Sequence, residues 1–78
     1  MTGKNFKLIR RANGITQMQI AEIFGFKSTT PIHNIERRSE VHSKYSNKLK
    51  EMLNLQFNNS EEYQRYLIHC QKILKWDT

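Results

Sequence analysis

One cysteine, one proline and three glycines in 78 residues leave this chain few of the usual means of stapling or breaking a fold. A lone Cys70 forms no internal disulfide, which suits a reducing cytosol. No apolar run is long enough to cross a bilayer, and the start of the chain alternates charged and apolar residues. Neither a membrane span nor a signal peptide is therefore expected, and a cytoplasmic location is. There is no glycine-rich phosphate loop and no clustered carboxylate pair, so no enzymatic activity is expected. His33, His42, His69 and Cys70 fit no zinc spacing, and the adjacent His69 and Cys70 point about 100° apart on a helix. No metal or cofactor is expected. Strand-like alternation, repeats, low-complexity stretches and linkers are also missing. At this length the chain is one domain with a modest core.

Acidic residues are scarce in one part only. Residues 1–50 hold ten Lys and Arg against three Glu, a net +7, whereas residues 51–78 hold three against four acids, a net −1. A basic first part joined to a near-neutral tail suggests a polyanion-binding face and a separate packing element.

What the sequence does have is apolar residues at helical spacing, and the pattern predicts five helices. The first covers about 4–12, with Phe6 and Ile9 on one face and Gly14 as its stop. The second starts after Thr16, buries Ile20, Ala21, Ile23 and Phe24, and ends at Gly25. The third begins after Ser28 as cap, turns Ile32 and Ile35 inward, and carries Pro31 at its third position, where the missing N–H does little harm. The fourth covers about 43–53, with Tyr45, Leu49, Met52 and Leu53 inward, followed by a connector pinned by Leu55 and Phe57. The fifth covers about 60–75, capped by Asn59 or Ser60, with Glu61 and Glu62 near the positive end of its dipole. Its stripe of Tyr63, Tyr66, Leu67, Cys70, Ile73 and Leu74 is long.

Helices two and three, joined around Gly25, form a helix-turn-helix. In that motif the second helix enters the major groove with its N-terminal residues leading. Such a helix needs small or hydrogen-bonding residues at its start and apolar ones behind. Ser28, Thr29, Thr30, His33 and Asn34 supply the first, and Ile32 and Ile35 the second. Arg37 and Arg38 stand where the chain leaves the groove and can reach phosphates.

Residues 6–38 resemble the lambda-repressor/Cro-like helix-turn-helix family, often called the xenobiotic-response-element family. The residues that carry the likeness are Ile9-Arg10, "GITQ", Ile20-Ala21, Phe24-Gly25, Ile32 and Ile35-Glu36. Residues 39–55 match loosely as the fourth helix, and residues 56–78 only in being helical. The turn "GFKS" is one residue longer than the common form, Pro31 is unusual in this helix, and Arg37-Arg38-Ser39 stand where a glycine often occurs.

The resemblance implies an all-α, five-helix bundle of the lambda-repressor-like type, with residues 1–55 as DNA-binding core. Residues 56–78 would complete the core, dimerise, or both. It implies that Thr29, Thr30 and Asn34 face bases, with His33 between groove and rim. Gln17 would meet a phosphate at the start of helix two. Lys27, Ser28, Arg37, Arg38, His42 and Lys44 would be backbone contacts. Arg10 and Glu36 match a structural ion pair. Tyr63, Tyr66, Leu67, Cys70, Ile73, Leu74 and Trp76 are candidates for a two-fold interface, because one recognition helix covers few base pairs and small regulators gain affinity by pairing. The expected function is sequence-specific binding of double-stranded DNA by a dimeric repressor at a palindromic operator, by analogy a Cro-like or controller protein of a phage or other mobile element. The alternatives are an antitoxin whose C-terminal helix binds a protein, or a phage protein that keeps the fold but binds protein or RNA.

Overall fold

The computed structural model describes residues 1–76 of the chain. The Trp76 side chain, named above for pairing, lies outside the described residues. Five helices follow one another: α1 (Gly3–Ala12), α2 (Gln17–Ile23), α3 (Thr30–Glu36), α4 (Ser43–Met52) and α5 (Ser60–Trp76), with no strand among the described residues.

Local chemistry explains most of the boundaries. The Thr2 hydroxyl accepts from the Asn5 N–H at 3.1 Å, so α1 begins at Gly3, one residue ahead of the expected Lys4. Thr16 and Gln19 form a reciprocal capping box at 3.1 and 2.8 Å. Gly25 takes φ +83°, and Phe26 then donates to the Ala21 carbonyl at 2.8 Å, closing α2. Asn54 does the same for α4 at φ +55°, with Leu55 donating to the Lys50 carbonyl at 2.8 Å. Of the two candidate caps for α5 it is Asn59, whose Oδ1 accepts from the Glu62 N–H at 2.9 Å.

The start of α3 departs from expectation. Thr29, not Ser28, is the cap, and it makes no side-chain capping bond. Lys27–Thr29 bend instead of joining the helix, which takes up the extra length of the turn. Pro31 therefore sits at the second helical position rather than the third, still among the donors that lack intrahelical partners.

Phe6, Ile9, Ile20, Ala21, Phe24, Ile32, Ile35, Val41, Leu49, Leu67 and Cys70 form one buried cluster, so α5 shares its core with the other four helices. α1 packs against α5 and α3, and α2 against α3. Ile23, expected in the buried stripe of α2, is instead 59 % exposed. At about 100° per residue, the sector that holds Ile20, Ala21 and Phe24 leaves it to one side.

A long-range tie fixes the end of α3. Gly3 donates to the Arg38 carbonyl at 2.9 Å and Val41 to the Met1 carbonyl at 2.8 Å. A Cβ on Gly3 would lie 2.6 Å from the carbonyl oxygens of Ile35, Glu36 and Arg38, so only glycine lets α1 approach this closely.

Candidate nucleic-acid interface

α3 is held from behind and open in front. Ile32 is fully buried and Ile35 nearly so, while Thr30, His33, Asn34 and Arg37 face solvent. Three of the four residues expected at bases, Thr30, His33 and Asn34, thus share the exposed side of one helix. Thr29 does not join them. It is half-buried at the cap, because the helix starts later than its sequence suggests.

The expected backbone contacts surround this face in part. Lys27 and Ser28 are exposed in the turn before α3, and Arg37 and Arg38 are exposed at its end. His42 is exposed but already serves the fold, because its Nδ1 accepts from the Lys44 N–H at 3.0 Å and caps α4. With Nδ1 accepting, Nε2 is the ring nitrogen that can donate. The Lys44 ammonium lies 5.8 Å from the Tyr45 ring centroid. Gln17 is half-buried and donates from Nε2 to Glu36 at 3.1 Å.

Between Lys27 and Lys44 the only acids are Glu36 and Glu40, and both are engaged. Glu36 takes the Arg10 Nε–H at Oε2 (2.6 Å) and the Nη2–H at Oε1 (3.2 Å), while Arg10 Nη1 donates to the Ile15 carbonyl at 2.7 Å. The two side chains are only 7 % and 4 % exposed, so this is a buried, geometrically complete pair. It joins α1, the α1–α2 loop, α2 through Gln17, and the end of α3. Glu40 meets the N-terminal ammonium at 2.8 Å. The rim of the α3 face is left strongly positive.

Alongside α3, between the turn before it and the start of α4, lies a cleft of about 410 Å³ that the helical pattern did not reveal. Phe26, Pro31, Ile35, Val41 and Tyr45 make its apolar wall, and Asn34, Arg38, His42 and Lys44 its polar rim. It forms between the turn before α3 and the start of α4, segments well apart in the chain, so no local periodicity marks it. The only local hint is the apolar and aromatic content of Phe26, Val41 and Tyr45 beside cations.

The expected pairing stripe of α5 turns inward. Leu67 and Cys70 are 5 % and 1 % exposed against the chain's own core and are not available to a second copy. The α1–α5 contact explains this: with α1 short, its apolar side needs a cover, and α5 supplies it. Tyr63 and Tyr66 are half-buried against the same core, and the Tyr66 hydroxyl accepts from Asn13 Nδ2 at 3.0 Å. Ile73 and Leu74 are half-buried. Burial pushes the Cys70 thiol and both phenols above their ordinary values; the Tyr66 hydroxyl beside Cys70 opposes the shift at the thiol, and the same contact adds to it at the Tyr66 phenol. Among the described residues the large apolar side chains that do face solvent are those of Met18, Ile23 and Ile68.

The chain matches no protein-family model, no curated protein and no solved structure. The functional reading therefore rests on the site itself. Among the described residues no helix is long and apolar enough to cross a membrane, and no three of His, Cys, Asp and Glu group as a metal site would.

Proposed function

We propose that the chain is a sequence-specific double-stranded DNA-binding regulator of transcription, of the lambda-repressor/Cro-like helix-turn-helix type, acting as a two-fold pair that represses from a palindromic operator. The observation that carries this reading is the outer side of α3. Thr30, His33 and Asn34 stand exposed together, Ile32 and Ile35 anchor them, and Arg37 and Arg38 follow immediately. Asn34 has the amide for a bidentate pair with adenine, and Thr30 the hydroxyl and methyl for either hydrogen bonding or a thymine methyl. The cations at the ends of the helix suit phosphates, which position a protein without reading sequence. The Arg10–Glu36 pair holds the end of α3 to α1 and supports the angle at which the helix would enter the groove.

Selection of bound sequences from a random duplex pool at moderate salt tests the reading. It should return a palindrome with half-sites about 34 Å apart, one helical turn. A pool that yields no preferred sequence would remove it.

A second reading, a protein-binding module such as an antitoxin, is favoured by the exposed Ile23 and Ile68, which lie on helices other than α3. Removing residues 56–78 cannot separate the two readings, because Leu67 and Cys70 belong to the core. Ile68→Lys can: it leaves the core intact, and loss of a protein partner with DNA binding retained would favour the second.

A further inference from the structure

We propose that the cleft between the turn before α3 and the start of α4 is a site for a small aromatic anion, a flat ring carrying one phosphate or carboxylate. Its volume of about 410 Å³ falls within the span of small-molecule sites, and its composition is asymmetric in a telling way. Among the described residues no carboxylate lines it, while Arg38, His42 and Lys44 all do. An anion is what these groups fit.

The apolar wall says what the anion is attached to. Tyr45 stacks on the buried Phe24 with ring centroids 6.0 Å apart and planes 15° off parallel. Its other neighbours are Phe26, at 6.0 Å, and the His42 ring, at 6.4 Å. The Tyr45 ring is thus fixed before any ligand arrives, which spares the ordering that binding otherwise requires. The Lys44 ammonium lies near this ring, and the cap bond at Nδ1 leaves His42 Nε2–H as the donor that ring can offer. Charge and ring therefore meet at one place. A bare phosphate would satisfy the cations and leave the aromatic wall wet, whereas an aromatic anion covers both.

Asn34, Arg38, His42 and Lys44 are also residues assigned above to DNA. A ligand in the cleft would then exclude the duplex and act as an inducer. That consequence rests on the DNA-binding reading, but binding in the cleft does not.

The test titrates phenyl phosphate into the full chain without DNA and follows the backbone amide resonances. Saturable shifts are expected at Val41, Lys44 and Tyr45. Inorganic phosphate and benzyl alcohol, each offering half of the ligand, should bind about tenfold more weakly or worse. Benzoate should shift the same amides. Arg38→Ala and Lys44→Ala, both at exposed positions, should weaken phenyl phosphate while leaving the melting temperature unchanged. Inorganic phosphate binding as tightly as phenyl phosphate would overturn the proposal in favour of a simple anion cradle. Benzyl alcohol binding as tightly would overturn it in favour of an uncharged apolar groove, and absence of shifts would end it. A chain that binds phenyl phosphate in the cleft but no duplex would keep the site and remove the DNA reading.

Discussion

α3 has seven residues and α5 has seventeen, and they use their side chains in opposite ways. The short helix buries two isoleucines and leaves Thr30, His33, Asn34 and Arg37 exposed, with none of the described residues covering them. The long helix turns Leu67 and Cys70 into the common core and keeps charged and amide groups outside. An apolar stripe on its own does not indicate a partner, because the rest of the chain is the first partner it meets. A polar helix face lying between cations, with its nearby acids already neutralised, has no such internal explanation. Function is therefore sought on α3, and stability on α5 and on the ties that hold α3.

The largest expected effect breaks the tie rather than the face. Glu36→Ala leaves the Arg10 guanidinium buried with its counter-ion gone, and should lower stability by about 3–5 kcal/mol in denaturant unfolding. Replacing both partners together, Arg10→Met with Glu36→Leu, should be milder. If Glu36→Ala melts like the unaltered chain, the pair does not hold α3 in place.

Next, Leu67→Ala should remove about 2–5 kcal/mol through lost burial and the cavity left between α5 and the core. Asn34→Ala should change stability by no more than about 0.5 kcal/mol, since its side chain is exposed. On the selected operator the order reverses. Asn34→Ala should weaken binding by about 1–3 kcal/mol and relax the preference at one base pair. If Asn34→Ala unfolds the chain, or Leu67→Ala leaves it as stable as before, the division between the two helices is wrong.

Arg38→Ala refines the picture of α3 further. As a phosphate contact it should weaken binding to every duplex alike and reduce the log–log salt slope by about 0.9. A change of sequence preference with the slope intact would place Arg38 at a base instead.

How far all this was legible in the sequence follows from the range of each signal. Thr16, Gly14 and Gly25 act over a few residues, and their helix ends fall where the sequence implied. The face of α3 was legible too, because two isoleucines three apart point one way and the polar residues between them the other. Expectation failed where a residue answers to something distant. Gly3 is set by carbonyls at the end of α3, and Val41 is buried by packing outside any helix. His42 shows a cap nitrogen only once the turn before α4 is in place. Ile23 has the right spacing from Ile20, but helical spacing defines a sector and not its edges. The stripe of α5 was read correctly as apolar; what covers it could be known only from where α1 lies.

The smallest effect tests α5 by pH. Burial raises the Cys70 thiol above its ordinary 9.0, and the Tyr63 and Tyr66 phenols above 10.0. In each case the folded chain favours the protonated, neutral form. As pH rises past 9 the unfolded chain loses the thiol proton first, so it binds fewer protons than the native state and stability falls. The contribution is whole below that pH and is lost as pH climbs through the raised native values. Urea unfolding between about pH 7 and 10.5 should show this decline in the unaltered chain. Cys70→Ala should flatten its first part and keep the part due to the tyrosines. Equal slopes in both chains would mean that Cys70 is wetter than its place under α1 implies, and that the α5 stripe is less closed than the α3 face is open.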